Sequence, residues 1–258
     1  MEERIVQMKI TFLGTSHGAP CAERHCSCTM IEVNGALYFV DAGAPLTDVV
    51  LRQGKHPDQI RAIFTTHAHG DHVFGIIPFA EMLCWWYKKA NVEIYLTEQK
   101  MIDAMTGVVE ASIGTMSRER VHFNLVKEDF IYEDENIRLW LIPNCHLKNR
   151  ADTPDRPSYS IVMEAEGKRL IFTGDMSIGL RQDDFPRIAL EEPSDFILCE
   201  MAHFTAEAVE AYIKQCKTKQ VWFNHVSFHQ DRFDAICEMD KKYPFTVRAA
   251  NDGDTVEL

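Results

Sequence analysis

Three imidazoles and a carboxylate fall within six consecutive residues at His67-Ala68-His69-Gly70-Asp71-His72. Imidazole nitrogen and carboxylate oxygen are donors that suit zinc, with manganese or iron also compatible, so the stretch reads as the start of a metal site. The apolar, β-branched run Ala62-Ile63-Phe64-Thr65-Thr66 before it predicts a short buried strand and puts the cluster on the loop where that strand ends. In an extended loop His67 and His69 point the same way for one ion, while Asp71 and His72 reach a second. A purely structural loop gains nothing from three histidines.

Further candidate ligands fall at other strand ends. His146 lies just beyond a strand read over 137–142, Asp175 two residues beyond one over 170–173, and His225 just beyond one over 221–223. In layered α/β folds functional groups gather beyond the carboxyl ends of strands. Four strands delivering His, His, Asp and His to one edge would make one site.

The remaining elements must hold those strands in register. A strand over 9–13 breaks at the turn-rich Gly14-Thr15-Ser16-His17-Gly18-Ala19-Pro20. Strands over 28–33 and 36–40 are joined by Asn34-Gly35, a strong hairpin signal, and the second ends in Asp41-Ala42-Gly43. A helix over 45–53 leads into the metal-loop strand, and 78–89 reads as a helix with Pro78 in its first turn. Its Phe79, Met82, Leu83 and Trp86 fall at helical spacing and predict a core face. A strand over 92–96, a helix over 98–109 and a strand over 136–142 follow. The polar stretch 144–158, with Pro154 and Pro157, reads as a surface loop over the site. A second hairpin spans 159–164 and 168–172, and strands over 195–199 and 220–223 alternate with helices over 206–215 and 231–241. No repeat, low-complexity tract or linker interrupts the chain, so 1–258 reads as one domain.

Composition narrows the partners. A chain of 258 residues, 46% of them hydrophobic, can bury a sizeable core. With 27 basic against 39 acidic residues the net charge is −12, which repels phosphate backbones and disfavours a long nucleic acid as partner. The longest apolar stretch, 73–87, contains Pro78 and Glu81 and falls short of the roughly 20 residues a bilayer helix needs. No signal peptide precedes the first strand, and the eight cysteines are scattered rather than framed. The expected location is the cytoplasm, with reduced thiols and no membrane contact.

The order of a strand, His-x-His-x-Asp-His, His146, Asp175 and His225 resembles the metallo-β-lactamase superfamily over nearly the whole chain. That resemblance implies an α/β fold, a four-layer αββα sandwich with a dinuclear metal centre on one edge. It places His67, His69 and His146 on one ion and Asp71, His72 and His225 on the other, with Asp175 bridging and Asp71 counted in the catalytic centre. Two such ions activate a water and clamp the oxygens of a displacement at phosphorus or carbonyl. No serine, cysteine or lysine motif offers another route.

Phe12-Leu13-Gly14-Thr15, with Gly18 and Pro20, resembles the opening of the ribonuclease Z and small cyclic phosphodiesterase branch of that superfamily. His203-Phe204-Thr205, with its histidine 22 positions before His225, is similar to the branch's His-Ser-Thr motif, with Phe204 in place of serine. The resemblance implies that His203 protonates the leaving oxygen, and Glu200 is placed to orient and charge-stabilise it. Ribonuclease Z carries an arm that grips transfer RNA between the positions of His146 and Asp175, which here are only 29 apart. The acidic balance also suits RNA poorly.

The expected function is therefore that of a metal-dependent hydrolase, a phosphodiesterase with two divalent ions, zinc foremost, acting on small or cyclic phosphodiesters. A thioester or lactone-type carbonyl hydrolase would use the same centre, and a ribonuclease Z-like RNA 3′-end endonuclease is the other alternative. The expected partner is a small phosphodiester substrate, and a homodimer stays open. By resemblance to the cyclic phosphodiesterases, Cys21, His25, Cys26 and Cys28 with His229 would form an additional structural zinc site.

Overall fold

Two runs of strands, each interleaved with helices, account for the described residues of this computed structural model, which are 8–19, 21–127, 129–148, 151, 153–181, 184–226 and 230–258. The first run holds β1 (Met8–Gly14), β2 (Cys28–Val33), β3 (Ala36–Ala42), α1 (Leu46–Arg52), β4 (Ile60–Phe64), α2 (Gly70–Val73), α3 (Ile76–Trp85), β5 (Val92–Leu96), α4 (Gln99–Ile113) and β6 (Val121–Leu125). The second holds β7 (Ile131–Glu133), β8 (Arg138–Pro143), β9 (Tyr159–Ala165), β10 (Lys168–Phe172), α5 (Ile188–Glu191), β11 (Phe196–Met201), α6 (Ala206–Ile213), β12 (Gln220–Val226), α7 (Gln230–Lys242) and β13 (Thr246–Ala249). A last strand, β14 (Thr255–Glu257), crosses back to the first sheet. The sheet orders are β14-β1-β2-β3-β4-β5-β6 and β13-β12-β11-β10-β9-β8-β7.

Alternation along the strands builds the layers. Successive side chains leave a strand on opposite faces, and here both faces are apolar. Leu37 and Phe39 of β3 pack outward with Val49, Val50, Phe79, Leu83 and Met105 of α1, α3 and α4. Tyr38 and Val40, between and after them, join Phe12, Phe64, Phe172 and Phe196 in the space between the sheets. On the far side Ile197 and Cys199 of β11 pack on Val209 and Ile213 of α6 and Ile236 and Met239 of α7. Three apolar layers separated by two sheets make the expected helix-sheet-sheet-helix sandwich. Each fully buried large apolar side chain is worth about 1.5–3 kcal/mol, and the inter-sheet layer locks the relative position of the two sheets.

Both predicted hairpins form at left-handed turn residues. Asn34 and Gly35 take φ of 53° and 81°, and Glu166 and Gly167 take 50° and 71°, as a two-residue turn between twisted strands requires. Several boundaries differ from the sequence reading. The helix expected over 78–89 runs from Ile76 to Trp85, and Trp86 is 62% exposed rather than part of the core face. The helix expected over 98–109 continues to Ile113, ended by Gly114 at φ 85°. The strands β6, β7, β13 and β14 were not expected. They are three to five residues long, and short strands with partly exposed faces carry little periodic signal. Among the described residues no helix is long and apolar enough to cross a membrane.

Candidate metal centre

Strand direction gathers the candidate residues. β8 and β10 are both antiparallel to β9 and so run the same way, and β11 and β12 continue parallel to β10. Their carboxyl ends deliver His146, Asp175, Glu200 and His225 to one edge. The first sheet meets them there, because Tyr159 N donates to Thr66 O at 2.9 Å, one residue from His67.

Two expectations about local structure are corrected at this edge. The hexapeptide is not an extended loop throughout, since His69 is the N-cap of α2 and Asp71 and His72 lie in that helical turn, with His72 N donating to His69 O at 3.0 Å. The turn brings Asp71 Oδ2 within 3.4 Å of His72 Nε2. His225 does not lie beyond its strand but inside β12, at φ 51° where the pairing with β11 shifts register. A bulge of this kind re-aims a side chain. The stretch 144–158 is also not purely a surface loop, for Asn144, His146, Leu147 and Ser158 are buried.

All seven predicted ligands come together. One group of ligand atoms within 4.8 Å of one another comprises His67, His69, His146 and Asp175, and another comprises Asp71, His72 and His225. Asp175 Oδ2 lies between them, 3.8 Å from His67 Nε2, 3.7 Å from His146 Nε2, 3.4 Å from His72 Nε2 and 3.6 Å from His225 Nε2. His67 and His72 are fully or almost fully buried, yet their Nε2 atoms have no hydrogen-bond partner. Buried polar atoms are normally paired, and two unpaired imidazole nitrogens aimed at a carboxylate are what a divalent cation would satisfy. The donor set fits the expected metals.

The other ring nitrogens are occupied from behind. Asp41 Oδ2 accepts from His72 Nδ1 at 2.8 Å, Thr66 Oγ1 from His67 Nδ1 at 3.0 Å, and Met176 O from His146 Nδ1 at 3.1 Å. Thr66 in turn donates both its backbone N and its hydroxyl to Asp41. Such partners fix ring orientation and tautomer. The sequence shows Asp41 only as a strand-end residue, and its role depends on a left-handed φ of 59° that the sequence does not announce. Gly43 beside it has a steric reason, since a Cβ there would lie 1.7 Å from Asp71 O and displace α2.

Burial and the carboxylates set the charges. Burial pushes His67 well below the usual histidine value and takes His146 down to about 4, so both rings are neutral, as ligation requires. Burial alone would raise Asp71 and Asp175, but the surrounding imidazoles outweigh it and hold both well below the usual carboxylate range. For His72 burial is likewise outweighed, and Asp175 and Asp41 raise it.

His203 stands at the rim, its side chain 23% exposed. Its Nδ1 is 2.9 Å from Glu200 Oε1 and 3.9 Å from Asp175 Oδ2, and its ring stacks on His225 with centroids 5.6 Å apart. Burial lowers its pKa, but the hydrogen bond and charge of Glu200, with Asp175, prevail and raise it to about 9. Glu200 is buried and spread over three backbone donors, Met176 N at 2.9 Å, Ala202 N at 2.7 Å and His203 N at 3.1 Å. Thr205 caps α6, accepting from Ala208 N. Phe204, the departure from the His-Ser-Thr pattern, is 3% exposed and packs into the outer apolar layer. The substitution thus serves the core and leaves His203 in place.

The additional zinc site lies only partly within the described residues. Among the described residues Cys21, His25, Cys26 and Cys28 do not join a metal-ligating group, and His229, like Pro20 of the opening motif, lies outside the described residues.

Comparisons with known proteins agree with the architecture. A family model described as Anti-Pycsar protein Apyc1 matches residues 8–242. A Ribonuclease Z of Cyanothece sp. is 40% identical over 166 residues, 61% of this chain and 51% of that protein. The chain spans about half the length of the curated relatives it matches. The fold is that of the metallo-beta-lactamase fold protein YhfI from Bacillus subtilis, with TM-score 0.74 at 15% identity over 98% of this chain and all of that one. A diphosphatase from the PhnP family superposes with TM-score 0.71 at 19% identity, covering 98% of this chain and 97% of the other.

Proposed function

The chain belongs to the Anti-Pycsar protein Apyc1 family, and from that premise we propose that it is a metal-dependent phosphodiesterase, loaded with two divalent ions and acting on small or cyclic phosphodiesters. The observation that carries the reading is the His203–Glu200 pair at 2.9 Å beside the cluster of seven ligands. The alkoxide leaving a phosphodiester needs a proton, and a histidine is suited to give one. A thiolate leaving a thioester needs it far less, which weighs against the thioester form of the carbonyl-hydrolase alternative.

His67, His69 and His146 would hold one ion, Asp71, His72 and His225 the other, and Asp175 would serve both. Bound there, the ions would lower the pKa of a water nucleophile and offset charge on the phosphoryl oxygens. The chain's own residues do the rest. Asp41 and Thr66 keep the rings of His72 and His67 turned with Nε2 inward. His203, its Nδ1 proton tied to Glu200, presents Nε2–H to the leaving oxygen and gives up that proton as the bond to phosphorus breaks.

A ribonuclease Z-like activity is the second reading, favoured by the curated relatives named Ribonuclease Z. The net charge of −12 weighs against it, as does the short interval from His146 to Asp175, much of which β9 and β10 occupy. All eight cysteines are free, which supports the reducing cytoplasm as the compartment. Metal analysis of the purified protein, with rates on bis(p-nitrophenyl) phosphate, cyclic nucleotides and a transfer RNA precursor, tests the reading. Hydrolysis of small phosphodiesters by a protein carrying two ions per chain is expected. A metal-free protein, or one active only on thioesters, would overturn it.

A further inference from the structure

The loops that carry His146 and Asp175 leave different strands, yet one carboxylate that is not a ligand holds them both. Asp184 Oδ1 accepts Cys145 N at 2.6 Å, and its Oδ2 accepts Ser177 N at 2.7 Å. Cys145 immediately precedes His146, and Ser177 follows Asp175 by two residues. Asp184 is itself 8% exposed and sits 39 positions from Cys145, in the segment between β10 and α5. A buried carboxylate is costly unless its oxygens are taken up by donors, and here each oxygen takes one amide. Backbone N–H to carboxylate bonds of this length are the strong, charge-assisted kind.

We propose that Asp184 is a positioning residue for the metal centre, one that sets the main chain of His146 against that of Asp175 before any ion binds. The inference rests on the reading of His67, His69, His146 and Asp175 as ligands of one ion. The links around Asp184 show why such a staple is needed. His146 Nδ1 donates to Met176 O at 3.1 Å, and Asn144 Nδ2 donates to Asp175 O at 2.9 Å. Both run from one loop to the other, and Asn144, which also accepts His146 N at 3.2 Å on its Oδ1, is itself part of the His146 loop. Asp184 comes from a third segment and grips both backbones with one rigid, planar anion, so its two oxygens and their hydrogen bonds set the distance between the two amides. Glu200 ties the same loop to His203, its Oε1 taking Met176 N alongside His203 Nδ1. Asp184 therefore bears on His146, which belongs with His67 and His69, and on the shared Asp175, while Asp71, His72 and His225 are carried on α2 and β12.

Chemistry selects aspartate here. Asparagine has the same shape, but its Nδ2 would face one of the two amides, so one bond becomes donor against donor. Glutamate keeps both oxygens and the charge, but its extra methylene pushes the two loops out of place. Either change leaves every metal ligand present.

Zinc and cobalt titrations of the full chain, in competition with a chelator, test the proposal without recourse to hydrolysis. Asp184→Asn is expected to weaken the step that fills the His67–His69–His146 side by about 10–100-fold, the usual effect of removing a group that orients ligands, with a smaller loss at the other step through the shared Asp175, and to change the visible spectrum of the cobalt form. Asp184→Glu should weaken the same step. Asp195→Asn serves as comparator, because Asp195 also accepts a backbone amide, Arg169 N at 3.0 Å, but lies among Lys168 and Lys219 away from the ligands. It should leave both steps unchanged. Wild-type affinities and spectrum in Asp184→Asn would overturn the proposal, and so would equal weakening of both steps. Hydrogen exchange on the metal-free wild type supplies a check that needs no variant. The amides of Cys145 and Ser177 should be protected there, and exchange at the rate of an open loop would show that Asp184 does not hold them. Loss of phosphodiesterase activity on any substrate leaves these readouts intact, so failure of the functional reading and failure of this one are distinguishable.

Discussion

Glu200 Oε1 receives the side chain of His203 at 2.9 Å and the backbone of Met176 at 2.9 Å, so one oxygen ties the proposed proton donor to the loop that carries Asp175. The donor is thereby held in register with the ligand cluster instead of hanging on a flexible rim. Its consequence is kinetic. His203→Ala should leave the ions bound and slow hydrolysis of alkoxide esters by roughly 10²–10⁴-fold, the range for one acid–base group. Hydrolysis of bis(p-nitrophenyl) phosphate should suffer much less, because p-nitrophenolate leaves without a proton. Equal loss on both substrates, or loss of metal, would make His203 a ligand or a cap.

Asp175 Oδ2 lies within 3.8 Å of four imidazole nitrogens drawn from both ligand groups. Asp175→Ala should accordingly lower occupancy of both ions, measured by elemental analysis after dialysis against a weak chelator. Depletion of one ion with full retention of the other would mean that the carboxylate does not bridge.

Substrate size is tested with a transfer RNA precursor at stated salt. A protein of net charge −12 should process 3′ trailers poorly at physiological ionic strength, since backbone binding depends on released counterions. Efficient trailer removal under those conditions would favour the endonuclease reading.

Stability against acid has its own handle between the sheets. Asp134 accepts Tyr38 OH at 2.6 Å, Tyr132 OH at 2.8 Å, and the amides of Asn136 and Ile137 at 2.8 and 2.9 Å. Burial would raise its pKa, but these bonds outweigh burial and lower it. A depressed carboxylate stabilises the fold above its unfolded pKa, about 3.9, and the contribution is lost as pH falls through the folded value. Urea unfolding of the metal-free protein should therefore show Asp134→Asn weaker than wild type at pH 7, with the gap narrowing as pH falls below the unfolded carboxylate value. A gap of constant size would show that the charge is not what matters.

Much of the site was legible in the one-dimensional chain. His67, His69, Asp71 and His72 announce themselves by spacing, and His146, Asp175 and His225 by falling at or near the ends of apolar runs, because strand patterning and donor chemistry are both local properties. The hairpins at Asn34-Gly35 and Glu166-Gly167 follow from the same local logic, since a left-handed turn needs residues that tolerate it. What only tertiary structure decided is where side chains meet across large separations in sequence. The bulge that turns His225 inward is a register shift between β11 and β12, a relation between two strands rather than a property of either. Asp41 becomes the partner of His72 across 31 positions only once β3 pairs with β4, and Asp184 the staple of Cys145 and Ser177 only once β8 and β10 flank β9. An aspartate at a strand end or in a loop looks the same whether it faces water or holds a ligand. Its role is fixed by which donors the packed sheets bring to its two oxygens.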